Sequence, residues 1–597
     1  MMRVLASLAA AAVVLAACSG VPSSSSPQVI GGVVGGPSGA LPTNTPQPNA
    51  EPRAIVQEFL RANATEPLEP RGAREFLTPD VQRRWSDTTV TILQGSVEDA
   101  HVDVAKASGS HTTVLVKGTQ IGSLNAAGEY TPVLNPDQAS WSHDYSLDLV
   151  KGQSRINNPT DGLVVYAADF AQVYQTIRLY FPDLREKRLV PDVRYTALSS
   201  NKAALASWAL NQLTIGPRLE LTNAVRTEVP SLPPATPPSV VLEDLTASVE
   251  LPGISHLESD VKVTLAAQLL ATLDGVQPGV QLSLTDGHVP VAIPGLTDPI
   301  SKDDITRVTP QAGPSAQAHF FDAITDPPLF YIDGTGRLVT RTGKPLDGPL
   351  GTHPEYNLNS VAITSARSDS DYYVAACVGS DSQQTLWVGR AGVGLNKVVG
   401  VPSGRLTRPS WLAGQREVWI ANGANLYRVD YRGAVQAVPT TLSLGATITA
   451  MRLSPEGSRI AMIVHDGGQS RLWVGSIVRS DTIETQGSTA RVEGALAILP
   501  PTFRLTDVAW GDDMTLWVVG SAGTENNVWS VNVDGSGLQE HGSSGLPQVA
   551  DSITVGHSLP AWVSAGGYVF VGGTDWEGPG RHTTRGRNPI YQDSYLD

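Results

Sequence analysis

The sequence predicts a mainly β, multidomain chain: two small α+β domains followed by a β-propeller of about six blades. Three observations carry that prediction. Helical periodicity is confined to the first half, in short segments flanked by alternating, strand-like runs. From about Gln317 it disappears, and short apolar runs separated by glycine-rich turns replace it. Those runs recur as five copies of strand-turn-strand-turn-strand, at roughly the 40–55 residue spacing of propeller blades.

Taken in order, residues 1–17 read as a secretory signal peptide. Arg3 supplies the positive end, and the apolar run from Val4 to Ala17 is too short for a spanning helix of about 20 residues. It ends on Leu15-Ala16-Ala17-Cys18, which resembles the bacterial lipobox, where the cysteine takes a diacylglyceryl group on sulfur and an acyl group such as palmitate on nitrogen. Residues 18–50 are rich in Ser, Pro and Gly and read as a flexible tether, which an anchored domain needs. The chain holds two cysteines; with Cys18 acylated, Cys377 in "DYYVAACVG" is left as a buried strand thiol without a partner. That composition excludes a disulfide framework and a Cys/His zinc pattern. Loss of Arg3 leaves 41 Lys+Arg against 57 Asp+Glu, so the formal net charge moves from -15 to -16. Such an acidic body argues against nucleic acid and against adsorption onto anionic headgroups, so attachment to the plasma membrane requires the covalent lipid.

The first α+β domain is expected over 51–165. In "EPRAIVQEFLRANA" Ile55, Val56, Phe59 and Leu60 share a helical face, and "LTPDVQRRW" reads as a short helix capped by Thr78 with Pro79 in its first turn. "HVDVA", "HTTVLVKG" and "HDYSLDLV" then alternate as strands of a curved antiparallel sheet. The second domain, 166–300, opens with strand-like "QTIRLYFPD" and "RLVPDVRYT". A helix follows in "NKAALASWALNQL", with Leu205, Trp208, Ala209 and Leu213 on one face and a stop at Gly216-Pro217. "VKVTLAAQLLATL" is another helix, presenting Leu265, Leu269, Leu270 and Leu273, and "GVQLSLTDG" closes the unit as a strand.

The propeller is assigned to 301–597. Its first strands are "SVAIT", "RPSWL", "TAMRLS", "DVAWG" and "SITVG"; its second strands are "YYVAAC", "VWIAN", "RIAMIV", "TLWVVG" and "AWVSA". Third strands follow in "QTLWVG", "NLYRVD", "RLWVGS", "NVWSVN" and "YVFVGG". "PLFYIDGTGRLVTRTG" precedes these copies as part of a sixth blade, for the C-terminal segment to complete. Radial repetition leaves only short, protected strand edges.

No stretch has the residues of a hydrolase elbow, a Walker loop, a zincin helix or a dinucleotide fingerprint, so no catalytic residue, metal ligand or cofactor is assigned. His465 with Asp466 in "IVHDGG" reads as a polar hairpin end and not as a metal site. Asp512 and Asp513 in "WGDDMTLW" read as a solvated hairpin, since adjacent turn residues point apart. Trp387, Trp473 and Trp529 on third strands and Trp411 and Trp510 on first strands read as blade core rather than a sugar-stacking set. "GRHTTRGRNP", with Arg581, Arg585 and Arg587, reads as a solvated basic tail, or more sharply as a contact for an acidic partner.

Three stretches carry a resemblance. "LSPEGSRIAMI" resembles the hairpin of TolB-like propellers, with Ser454, Pro455 and Gly457 in the turn and Ile460 and Met462 directed into the blade. "LYFPD", "LVPDVR", "LNQLTIGP" and "DGHVPV" resemble the GerMN module of cell-envelope and sporulation proteins. The order of lipobox, tether, α+β domain, GerMN-like domain and propeller resembles the actinobacterial LpqB lipoprotein family. That resemblance implies a non-enzymatic protein, lipid-anchored on the extracytoplasmic face of the cell membrane. Its implied partner is the extracellular domain of an MtrB-like sensor histidine kinase, and the output is MtrA–MtrB two-component signalling in envelope homeostasis, division and drug tolerance. No partner-binding residue is carried over. Two other readings stand beside it: an envelope glycan-binding protein or hydrolase using the propeller funnel, and a structural scaffold with several partners.

Overall fold

The computed structural model describes residues 45–591 apart from 66–70, 109–110, 185–187, 232–238, 309–319, 321–326, 353–355, 369–370, 413–416, 444, 483–486, 543–545, 557–559, 573–575 and 578–583. Leu15, Ala16, Ala17, Cys18 and Arg581 lie outside the described residues.

The helix Pro52–Thr65 buries Ile55, Val56, Phe59 and Leu60 together, as their spacing demands. They pack on a mixed sheet whose central strands run in the order Gln153–Ile156, Ser140–Val150, His111–Leu124, Val90–Leu93 and Leu163–Tyr166, with His101–Ser108 and Tyr130–Pro132 also paired to His111–Leu124. The sheet is not purely antiparallel, because Val90–Leu93 and Leu163–Tyr166 pair in parallel. Phe59 is the hub of this core, its ring 5.6 Å from Trp85 and 6.0 Å from Tyr145. Thr78 occupies the N-cap of Pro79–Arg84 without a side-chain hydrogen bond. Its amide instead donates to Ile156 O at 2.9 Å, so this helix start is fixed by strand pairing and not by a hydroxyl cap.

In the second domain the runs predicted as strands form an antiparallel hairpin, Tyr174–Pro182 with Leu189–Ala197. Helix Lys202–Ile215 starts at Asn201, whose side chain accepts from Ala204 N, and stops at Gly216 (φ 104°). Helix Ser259–Asp274 buries all four predicted leucines against a separate sheet ordered Val240–Glu243, Thr246–Glu250, Gln281–Asp286, Val289–Pro290.

Among the described residues the strands form six propeller blades, the last two joined in one seven-stranded sheet where Tyr568–Gly572 pairs with Thr584–Tyr591. Blades 1 to 4 are four-stranded antiparallel sheets that begin with Leu358–Ser368, Ser410–Leu412, Thr447–Leu453 and Phe503–Trp510. Blade 5 begins with Ala550–Thr554 and ends in the two-residue strand Trp576–Glu577. Blade 6 is shared between the ends of the domain: the late strand Thr584–Tyr591 lies innermost and pairs with the early strand Leu329–Asp333, which pairs with Leu338–Thr340. Each first strand touches that of the next blade, and Thr584–Tyr591 touches Leu358–Ser368, so the ring is closed. The described part of the basic segment is therefore strand and not tail, although Arg585 and Arg587 are exposed as the solvated reading expects. Arg585 and Arg587 sit on the closing strand, where closure removes an open sheet edge, and Arg587 donates to Leu358 O of blade 1 at 2.7 Å.

Of the five tryptophans read as blade core, Trp411, Trp510 and Trp529 are buried and Trp387 and Trp473 are half-buried; the two on first strands also join neighbouring blades. Trp411 Nε1 donates to Ala362 O of blade 1, and Trp510 Nε1 to Arg452 O of blade 3, each at 3.2 Å and each buried. In the 454–459 turn, Gly457 has φ 79°, and a Cβ there would lie 2.5 Å from Leu412 of blade 2. Ile460 and Met462 are fully buried inside the blade.

Candidate functional site: the propeller axis and the domain junctions

Three buried charge clusters mark the places where separate parts of the chain meet. The first lies among the innermost strands. Arg408, just ahead of blade 2, and Arg452 of blade 3 converge on Asp507 of blade 4 at 3.3 Å, and all three are buried. Asp507 Oδ2 also accepts from Ile553 N at 3.1 Å, while Arg408 donates to Ile553 O and Pro589 O at 3.2 and 2.8 Å. One guanidinium–carboxylate knot thus reaches five blades.

The second cluster joins all three domains. Strand Leu189–Ala197 is buried along its whole length, including Asp192 and Arg194. Arg194 pairs with Asp192 at 2.6 Å and with Glu129 of the first domain at 3.0 Å. Asp192 takes Arg218 N at 2.8 Å, and Arg218 reaches Tyr130 O at 3.2 Å. Tyr195 N donates to Gly128 O at 2.8 Å, where Gly128 has φ 74° and a Cβ would sit 2.3 Å from Tyr195 O. The Tyr195 hydroxyl meets Ser536 of blade 4, whose own hydroxyl donates to Asp534 at 2.6 Å. Burial raises the Asp534 carboxyl above its ordinary range, with Arg218 opposing that shift. A single apolar cluster runs from Ile55 and Phe59 to Ile498, Phe503 and Trp529, so the first domain and blades 3 and 4 share one core; the second domain enters it through Tyr174, Val193 and Tyr195 and buries its helices in a cluster of its own.

The third cluster lies under the second domain, on the first turns of blades 3 and 4. Glu456 and Arg459 are buried and paired at 2.8 Å. Arg459 donates to Asp513 O at 2.8 Å, and Arg188 of the second domain donates to Pro455 O at 2.7 Å. Asp512 accepts from Met514 N and Thr515 N at 2.7 Å and faces Arg178 at 3.9 Å. The aspartate turn read as solvated is an interface, because the second domain seats on it. Burial, reinforced by the Glu456 carboxylate, pushes the Asp513 carboxyl up to about 7.

His465 lies exposed at its hairpin end, 3.3 Å from Ser470, and Asp466 accepts from Ser443. Among the described residues no group of three or more His, Cys, Asp or Glu side chains is placed to hold a metal. Cys377 is fully buried, with its sulfur 3.4 Å from Thr407 O, and burial pushes its thiol up to about 12. Among the described residues no helix is long and apolar enough to cross a membrane. Sequence reasoning missed Asp192, Arg194, Arg408, Arg452 and Asp507. A signal was present: "VPDVRY", "TAMRLS" and "LTDVAW" each place a charge inside an otherwise apolar strand.

Comparison with known proteins follows the same divisions. Residues 45–171 match the model described as "Lipoprotein LpqB, N-terminal domain", 178–288 that described as "Sporulation and spore germination", and 336–591 that described as "Lipoprotein LpqB beta-propeller domain". Lipoprotein LpqB of Mycolicibacterium smegmatis is 29% identical over 546 residues, covering 87% of this chain and 86% of its own. That of Corynebacterium jeikeium is 27% identical over 545 residues, covering 88% and 86%. Among solved structures, a putative TolB from Agrobacterium tumefaciens overlaps 45% of this chain and 92% of its own, at 12% identity and a TM-score of 0.28. The propeller assignment rests on the strand order and not on that overlap. With all three domains matched in order and relatives aligned along most of the length, the chain belongs to the LpqB lipoprotein family.

Proposed function

We propose that this protein is a lipid-anchored, extracytoplasmic recognition protein. It is held to the cell membrane through Cys18 and binds the sensor domain of an MtrB-like histidine kinase to modulate two-component signalling in envelope homeostasis, division and drug tolerance. The observation that carries the reading is the Leu15-Ala16-Ala17-Cys18 box followed by a Ser/Pro/Gly-rich segment, in a chain whose family is one of lipoproteins. The joined core of three domains supports recognition by a surface of defined shape, because docked domains lose little further freedom on binding. Regulation then works by differential affinity: the protein shifts the kinase only as far as it prefers one kinase conformation. Anchoring both partners in one membrane raises their effective concentration, so a weak interface suffices.

The test is photo-crosslinking in intact cells, comparing the natural chain with Cys18→Ser. The natural chain is expected in the membrane fraction, crosslinked to the kinase ectodomain; Cys18→Ser is expected to be released, with crosslinking reduced at least tenfold. Recovery of Cys18→Ser in the membrane at the natural level overturns the anchor. An unchanged crosslink pattern in cells lacking the kinase overturns the partner.

A further inference from the structure

We infer that the outer hairpin of blade 3 is a strap that clamps the second domain to the propeller, and that the seat of that domain opens by release of this strap while both parts stay folded. The inference stands apart from the identity of any partner. In blades 1, 2 and 4 the third strands hold 8, 6 and 8 residues and the fourth strands 4, 4 and 3. In blade 3 the corresponding strands, Gln469–Thr482 and Gly487–Ala497, hold 14 and 11. The second strand of this blade, Arg459–Asp466, pairs with the third only as far as Ser476. From Ile477 to Thr482 the third strand pairs with the fourth alone, so the hairpin runs on past its blade as a two-stranded arm. An isolated two-stranded hairpin is marginally stable in water, so this arm needs a surface on each side.

Alternation of side chains gives the arm two working faces. Ile477, Ala490 and Val492 are buried on one, in the apolar cluster that holds Trp419 and Leu426 of blade 2. On that face Arg479 pairs with Glu417 of blade 2 and lies over the Trp419 ring. The backbone is tied there as well, with Val492 N donating to Pro439 O at 2.8 Å. The opposite face meets the second domain. Val478 is buried in that domain's own apolar cluster, a propeller side chain lodged among residues of another domain. Beside it Ser476 Oγ donates to Glu220 O at 2.5 Å, and Asn223 Nδ2 donates to Glu493 at 2.9 Å. Gly494 has φ 59°, and a Cβ there would lie 3.1 Å from Glu220, so the two backbones approach closely at this point. The arm is thus fixed to blade 2 on one side and holds the second domain on the other.

Hydrogen exchange on the full chain tests this on three segments: residues 219–225 under the strap, helix Ser259–Asp274 inside the second domain, and strand Asp371–Ser380 of blade 1. Two variants free the strap. Val478→Asp puts a carboxylate where the second domain's apolar cluster holds an isopropyl group. The other replaces residues 478–491 by Asn-Gly, a two-residue turn that joins Ile477 directly to Val492, its partner in the ladder. In both, exchange at 219–225 is expected to rise by about tenfold, while the helix and the blade 1 strand stay within about twofold of the natural protein. Unchanged exchange at 219–225 in either variant overturns the inference. An equal rise along Ser259–Asp274 or Asp371–Ser380 overturns it too, because seat and fold would then open together. Should the shortened chain fail to fold, Val478→Asp decides the matter on the same three segments.

Discussion

The propeller axis and the turns beneath the second domain use the same chemical parts in opposite proportion. At the axis two guanidiniums, Arg408 and Arg452, close on one carboxylate, Asp507. On the turns Arg459 pairs with the Glu456 carboxylate and donates to the Asp513 carbonyl, with Asp512 alongside facing Arg178. At the axis one buried carboxylate is matched by two buried cations, so removing the carboxylate leaves buried charge uncompensated. On the turns the acids outnumber the nearby cation, and burial with the neighbouring Glu456 carboxylate pushes the Asp513 carboxyl up to about 7. What separates the two sites is the local ratio of charges and the depth of burial, not the residue types.

The comparison is broken most severely by Asp507→Ala. Removing the carboxylate leaves two guanidiniums buried among inner strands, and a loss of about 3–5 kcal/mol is expected in denaturant unfolding. The sharper form replaces all three, Arg408→Met, Asp507→Leu and Arg452→Met. With no charge left to desolvate, stability is expected to recover to within about 1 kcal/mol of the natural protein. A triple variant as unstable as Asp507→Ala would show that backbone hydrogen bonds to Ile553 and Pro589, and not charge balance, hold the axis.

A smaller effect is expected at the junction of the three domains. Gly128→Ala places a methyl 2.3 Å from Tyr195 O at a φ of 74°. The expected cost is about 1–3 kcal/mol, with early proteolytic cleavage between the first and second domains as the readout. Trp510→Phe comes next. It keeps most of the buried ring but leaves Arg452 O without its indole donor, for an expected loss of about 1–2 kcal/mol in thermal or denaturant unfolding. At the bottom of the scale, His465→Ala at an exposed hairpin end should change stability by less than about 0.5 kcal/mol. The natural side chain at Cys377 reports on all of these variants. Its thiol is buried and held up near 12, so at pH 8 in a Cys18→Ser background it should resist alkylation until the blade opens. Rapid labelling of the native protein would contradict that burial.

Much of the architecture was legible because its signals are local. The faces of the first helix and of Ser259–Asp274 follow from a 3.6-residue period, and the hairpin turn at Ser454–Pro455–Gly457 from the backbone angles those residues accept. The repeated strand triplets carried the blades, and the incomplete "PLFYIDGTGRLVTRTG" with the C-terminal segment carried the sixth. The misreadings share one cause. Asp512-Asp513 looks like any solvated turn until the second domain sits on it, and Arg585 and Arg587 look like a tail until Thr584–Tyr591 closes the ring. Thr78 takes the N-cap position its sequence signals, but its amide bond to Ile156, and no hydroxyl bond, fixes the helix start.

By itself the sequence determined the order of domains, the blade repeat, the acidic charge and the expectation of a lipid at Cys18, all properties of residues considered with their near neighbours along the chain. Only the tertiary structure decided that the domains meet in a common core, that Arg408, Arg452 and Asp507 meet on the axis, and that an aspartate turn lies against the second domain. The physical reason is range. Periodicity and turn chemistry act over a few residues, whereas the charge state and solvation of a buried group depend on what arrives from hundreds of residues away.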